Sequence, residues 1–506
     1  MASNPDSTRR RFIGGLAAGF ATAALPAQAF APETSRRPPA RRPAPAQAPS
    51  ASDTAAAAER LVQASALSGT VGFAVIDLAT GQVLEERLPT ASLPPASVTK
   101  AATALYALEA LGADHRFRTR LMTGGTVEGG TLRGDLYLVG GGDPTLDTDS
   151  LATLAQRLRQ AGVSAVSGRF LVVGSALPYA AAIDGEQPDY VGYNPAISGL
   201  NLNFNRVYFE WRRQGNGWAV SMDARSNAHR PAVSMAEMRV VNREAPIYSF
   251  RLEDGRERWT VASRALGQDG GRWLPVRQPD LYAGEAFRAL VAAQGLRLPA
   301  PQRVSGIPAG ARELAGVQSG QLAAILREMM RYSTNLTAEV VGLAASTRRG
   351  IAPSGPPQSA QAMASWVNGA IGQASARFVD HSGLGDASRI TPVELARFFA
   401  RVGWDSPLRG LMRDHPVRDE QGRVIQNYPA AVSAKTGTLN FVSALGGYIG
   451  PPGGRRLAFS ILTADLPRRN AIPPAQRDRP EGAQPWARRS RLLQSALIRR
   501  WASVYS

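Results

Sequence analysis

Chemistry is first sought in this chain where a serine hydroxyl has a neighbour able to take its proton. The stretch Pro94-Pro95-Ala96-Ser97-Val98-Thr99-Lys100 offers such a place. A hydroxyl is a poor nucleophile until its proton is removed. An amine can remove it once burial or a second cation lowers its pKa. The run from Ser97 to Leu111 is rich in Ala and Leu, with Pro before it and Gly112 after it, which predicts a helix. Residues three apart share a helix face, so Lys100 is expected beside Ser97.

Lysine usage singles out the same place. Lys and Arg together number 58, yet only Lys100 and Lys435 are lysines; the other 56 are arginines. A coding bias toward arginine accounts for the 56 but not for where lysine survives. Arginine does not give up its proton in a protein, so a site that needs a neutral amine cannot use it. Lys435 opens the run Lys435-Thr436-Gly437-Thr438, and between the two lysines lies Ser333-Thr334-Asn335. Taken alone, a Ser-x-x-Lys reads as two surface residues and a Ser-x-Asn as a helix cap. The ordered set Ser-x-x-Lys, Ser-x-Asn, Lys-Thr-Gly resembles the signature of penicillin-binding proteins and serine β-lactamases.

Spacing narrows the resemblance. Ser97 and Ser333 are 236 residues apart, and Ser333 and Lys435 are 102 apart. The long first gap is similar to that of class C low-molecular-mass penicillin-binding proteins, the D-alanyl-D-alanine carboxypeptidases and endopeptidases related to penicillin-binding protein 4. Asp380-His381-Ser382-Gly383-Leu384 resembles that family's Asp-x-Ser-Gly-Leu segment. The next two residues, often Ser-Arg in the family, are Gly385-Asp386 here, which reverses the charge.

The resemblance implies an α+β fold: a penicillin-binding-protein/β-lactamase-like transpeptidase domain, its antiparallel sheet flanked by helices, with inserted β-rich subdomains. It implies that Ser97 forms an acyl-enzyme with the D-Ala-D-Ala carbonyl and that Lys100 is the base. Ser333 would pass a proton to the leaving amine, and Asn335 would orient Lys100 and the substrate amide. Lys435, Thr436 and Thr438 would hold the terminal carboxylate, and Gly437 would leave room for the substrate strand. The backbone N–H groups of Ser97 and Thr438 would form the oxyanion hole. Peptidoglycan stem peptides are the expected substrates and β-lactams the expected covalent inhibitors. No metal or organic cofactor enters the scheme. Two other readings stand beside it: a β-lactamase or esterase of the same fold, and a non-catalytic cell-wall-binding or β-lactam-sensing module.

These residues must be positioned by a chain of 506 residues, long enough for two or three cores. Apolar residues make up 44% and charged residues 19%, an ordinary globular balance. There is no cysteine, which excludes disulfides and thiolate catalysis. The four histidines, His115, His229, His381 and His415, form no metal-spaced pair, and no Gly-x-Ser-x-Gly elbow occurs. The formal charge of +18 favours contact with polyanions. No nucleic-acid motif accompanies it, so anionic envelope surfaces are the expected peripheral contacts and nucleic acid is not.

Thr8-Arg9-Arg10-Arg11-Phe12-Ile13 and the apolar stretch to Leu25 read as a twin-arginine-type signal over residues 1–31, followed by a Pro/Ala/Arg-rich linker over 32–52. Export to the periplasm is the expectation. The catalytic domain is placed at 53–117 and 313–506, around an insertion at 118–312 in two lobes. Within the catalytic parts, Ser333 and Asn335 are expected in a loop before a helix starting at Thr337. Thr391-Pro392-Val393-Glu394 reads as a capping box opening a helix to Val402. Ala431–Leu439 is expected to be a strand carrying the Lys-Thr-Gly run.

Overall fold

A computed structural model describes residues 51–372 and 374–506. The signal reading and most of the linker reading therefore lie outside the described residues. The linker's last two residues do not: a helix already runs Ala51–Ala64.

The central sheet is antiparallel and six-stranded. In spatial order its strands are Arg413–Asp414, Ala431–Leu439, Val442–Gly450, Leu457–Ala464, Thr70–Asp77 and Val83–Arg87. Strands Val442–Gly450 and Leu457–Ala464 are buried almost throughout, which explains their near-continuous apolar runs. Alternate residues serve opposite faces. Phe73, Leu445, Ile449, Phe459 and Ile461 pack against Leu493, Leu497 and Trp501 of the helix Ala483–Val504. Val442, Ala444, Tyr448 and Leu462 pack against the opposite layer, which includes Ala101, Ala104, Leu395 and Phe399. Helices thus flank the sheet on both sides, the α+β arrangement expected.

Four further sheets are built from residues between 118 and 318, and none of their strands pairs with the central sheet among the described residues. The largest has five strands and begins and ends side by side: Arg118–Thr123 pairs antiparallel with Arg312–Gln318. This pairing moves the expected boundary. The catalytic part resumes after Gln318, not at 313, because Arg312–Gln318 completes the insertion's own sheet. The expected two lobes also share one core. Buried residues form one contiguous cluster from Leu121 and Phe170 through Val207 and Trp259 to Leu274 and Tyr282.

Local structure around the motifs follows the sequence with two differences. Ser97 does not open the helix. It sits in a 3-10 turn, Ala96–Val98, and the α-helix runs Thr99–Leu111, ending at Gly112 (φ +88°). Asn335 is not in a loop but is the first residue of the helix Asn335–Arg348. The preceding helix, Leu322–Tyr332, stops at Ser333, whose left-handed backbone (φ +57°) turns the chain at once. A two-residue break suffices, so no loop extends to Thr337.

The capping box forms as expected on Pro392–Val402: Thr391 Oγ accepts from the Glu394 N–H, and Glu394 accepts from the Thr391 N–H at 2.9 Å. Thr391→Ala is expected to lower stability by about 1 kcal/mol, read as a lower urea midpoint at unchanged slope. An unchanged midpoint would show that the cap is not used.

Candidate active site

Four segments converge on Lys100. They are the turn that carries Ser97, the start of the helix Asn335–Arg348, the segment 380–385, and the strand Ala431–Leu439. Ser97, Ser333 and Asn335 are half-buried, whereas Lys100 is 0% and Lys435 3% exposed. The hydroxyls are reachable while both amines are shut away from water.

Lys100 Nζ donates to Asn335 Oδ1 at 2.7 Å and to the Ser382 carbonyl at 2.7 Å, and it lies 3.1 Å from Ser97 Oγ. Burial pushes Lys100 down to about 8, against the opposing pull of Asp380 and Glu339. A neutral amine has two N–H groups and one lone pair. The Asn335 and Ser382 oxygens can only accept, so they claim both N–H groups. The lone pair is left for the one partner that can donate, the Ser97 hydroxyl. The Asn335 amide cannot flip freely to spoil this, because its Nδ2 donates to the Tyr193 carbonyl at 3.0 Å. Tyr193 belongs to the insertion, which therefore completes the hydrogen bonding around Lys100.

The second lysine makes a separate pair. Lys435 Nζ donates to Ser333 Oγ at 3.0 Å and to the Thr436 carbonyl at 2.7 Å. Burial, the charge of Lys100 and that of Arg413 hold Lys435 well below the usual lysine range. The eight residues singled out from the sequence thus fall into two serine–lysine pairs, Asn335 bonded to the first of them, and the strand residues Thr436, Gly437 and Thr438. Thr436 is half-buried and Thr438 exposed on one face of that strand. Its outer neighbour, Arg413–Asp414, pairs only with Ser433 and Ala434. Beyond them the strand edge is open among the described strands and could take an extended peptide.

Gly437 packs against the turn at Ser97. A Cβ there would stand 2.7 Å from the Pro95 carbonyl and 2.9 Å from the Ser97 nitrogen. The missing side chain makes room for the turn that carries Ser97. Gly383 (φ +71°) does the same from the other side, lying directly over the Ala96 carbonyl. Ala96 itself is held at φ +45°, an uncommon backbone for a residue with a side chain.

Sequence reasoning missed the carbonyls of Ser382 and Tyr193 and the carboxylate of Glu339. The two carbonyls have no residue-type signal. Glu339 had one: it is four residues past Asn335, on the same helix face, among otherwise apolar neighbours. Asp386, at the position of reversed charge, pairs with Arg469 at 2.7 Å. Among the described residues no group of three or more His, Cys, Asp or Glu could hold a metal ion.

Comparison with known proteins places the chain among peptidase relatives. A profile of the D-Ala-D-Ala carboxypeptidase 3 (S13) family matches residues 54–483. A carboxypeptidase of Mycobacterium tuberculosis is 30% identical over 435 residues, covering 80% of this chain and 79% of the relative. A D-alanyl-D-alanine carboxypeptidase of Actinomadura is 28% identical over 437 residues, again covering 80% and 79%. Penicillin-binding protein 4 of Haemophilus influenzae has the same fold, with a TM-score of 0.68 at 20% identity over 87% of this chain and 99% of that one.

Gly437→Ala is expected to push Ser97 out of line and slow its capture by a fluorescent penicillin about 10²-fold. A rate near that of the wild type would show that the strand can back away from the turn freely.

Proposed function

The chain belongs to the D-Ala-D-Ala carboxypeptidase 3 (S13) family and is a serine-type peptidase, a hydrolase; from that premise we propose how its residues share the reaction. Ser97 attacks the carbonyl between the two terminal D-alanines of a peptidoglycan stem peptide. Its proton passes to Lys100 as the Oγ–C bond forms. Ser333, held by Lys435, gives a proton to the departing amine as the C–N bond breaks. Lys435, Thr436 and Thr438 receive the terminal carboxylate. The N–H groups of Ser97 and Thr438 face the oxyanion. Water then hydrolyses the ester and frees Ser97.

One observation carries this reading: Lys100 is buried between two obligate acceptors, with Ser97 Oγ 3.1 Å away as its remaining partner. β-Lactams offer a strained ring amide to the same nucleophile and are proposed to acylate Ser97 covalently. A D,D-crosslink also places a carboxylate beside the scissile amide, so endopeptidase cleavage is proposed as a second reaction of the same groups. A dedicated β-lactamase would need a base for fast deacylation. The two carboxylates that face Lys100, Glu339 and Asp380, are buried and occupied by backbone N–H groups, which speaks against that reading. The arginine-led N-terminal stretch supports export, and the +18 charge supports peripheral contact with anionic envelope surfaces. Cell fractionation decides the first, and the salt dependence of sedimentation with cell walls decides the second.

Fluorescent penicillin is expected to label the wild type and not Ser97→Ala; equal labelling would end the assignment. The acylation rate should rise with pH through about 8 as Lys100 loses its proton, because only the neutral amine is a base. Lys100→Arg should lose about 10²–10⁴-fold at every pH, while Lys435→Arg, which keeps its charge, should retain more. With crosslinked and uncrosslinked muropeptides, mass spectrometry should show both D-alanine release and crosslink opening. Release from uncrosslinked peptides alone would remove the endopeptidase part.

A further inference from the structure

Two buried acids act electrostatically on the active amine, and neither takes part in the proton transfers of the reaction. Glu339 is 0% and Asp380 1% exposed. Glu339 sits one turn beyond Asn335 on the same helix, and its two oxygens accept from the N–H groups of Ser382 at 2.8 Å and His381 at 3.1 Å. Asp380 accepts from the N–H groups of Gly383 and Gly385, each at 2.5 Å. Four backbone bonds to two carboxylates thus hold the segment 381–385. That segment delivers the Ser382 carbonyl to Lys100. The His381 carbonyl takes the Thr103 hydroxyl at 2.6 Å, tying the segment to the helix that bears Lys100.

We propose that Glu339 is a positioning residue of the acylation step: it holds the Ser382 carbonyl on Lys100 and, with Asp380, supplies the negative charge that meets the lysine ammonium formed when Ser97 gives up its proton. This rests on the reading of Ser97 and Lys100 above. Oγ bonds to the acyl carbon as the Ser97 proton moves to Lys100 Nζ; the C–N bond breaks as the amine nitrogen takes the Ser333 hydroxyl proton, which Lys435 Nζ, hydrogen-bonded to Ser333 Oγ, replaces. Lys100 Nζ then carries three N–H groups, and Asn335, Ser382 and Ser97 supply three acceptors. Its new charge forms away from water, where an unpaired cation is costly and a facing carboxylate offsets it.

The surrounding charges leave this task to the two acids. Lys435 and Arg413 are basic groups and bring no negative charge, and Asp184 of the insertion acts on Asp380 as a like charge. His381 cannot serve as a cation partner. Its Nε2 bonds Ser359 Oγ at 2.7 Å, and burial pushes it down to about 3. Burial raises Glu339 to about 8 and Asp380 to about 6, Lys100 pulling both back. Glu339 and Lys100 therefore titrate in one range, and a change at one is felt at the other.

The test is the pH profile of penicillin acylation in the full chain. In Glu339→Gln the rising limb is expected to move to lower pH by about one unit, as an opposing charge no longer holds the proton on Lys100. The plateau should fall about 10-fold or more as the Ser382 carbonyl drifts. Asp380→Asn should move the limb the same way. Glu339→Asp restores the charge with a shorter reach, so the limb should return while the plateau stays low. A lower plateau with an unmoved limb in Glu339→Gln would make the residue structural only and overturn the proposal. Should these variants fail to fold, the wild type still gives an answer. With lysine labelled at 13Cε, its two lysines give two signals, and Lys435→Arg assigns them. Lys100 is expected to titrate in two steps, coupled to an acid; a single step near 10.4, the free-lysine value, would overturn the proposal. Labelling of Ser97→Ala by penicillin would instead overturn the catalytic reading itself.

Discussion

An amine kept from water yet ready to exchange a proton is the constraint on which this structure depends. Bulk solvent would hold Lys100 charged and useless as a base. Full burial reverses that, but only if every position around Nζ is filled by the right kind of atom. Two carbonyl-type oxygens and one hydroxyl meet the requirement. Each comes from a different part of the chain, so the central sheet, the flanking helices and the insertion all act as means of bringing three oxygen atoms to one nitrogen.

Close packing makes the arrangement rigid. Gly437 and Gly383 clasp the turn at Ala96–Ser97 from two sides, at distances where any side chain would collide with backbone. Ala96 accepts an uncommon φ between them. The cost of such a residue is of order 1–3 kcal/mol, and it persists because its surroundings allow no alternative. Ser333 is held in a similar left-handed turn between two helices. Both hydroxyls therefore stand at sharp bends and are half-buried, while the lysines that serve them lie within regular elements.

Much of this was legible in the sequence because the chemistry restricts residue type. Lys100 and Lys435 stood out in an arginine-dominated chain, and the Thr391 box and the Ala431–Leu439 strand are written in side chains. What stayed hidden is what side chains do not encode. The Ser382 and Tyr193 carbonyls act through atoms that every residue has. The end of the insertion was misplaced by a few residues, since Arg312–Gln318 is recognisable as a strand of the insertion only through its pairing with Arg118–Thr123. The closeness of Gly437 to the Ser97 turn was hidden as well, because the two are far apart along the chain.

The strand order carries a consequence for synthesis. Thr70–Asp77 finds its inner neighbour in Leu457–Ala464, encoded roughly four hundred residues later, and pairings of such separation form late. The Lys-Thr-Gly strand joins the sheet only through Val442–Gly450 and that same late strand. While it is being made, the chain therefore has the serine turn and the lysine helix that follows it but no wall to enclose them. The wall arrives with the final hairpin. The closed site is therefore a property of the nearly complete chain, because Lys435 and the strands Val442–Gly450 and Leu457–Ala464 that join its strand to the sheet all come after residue 430.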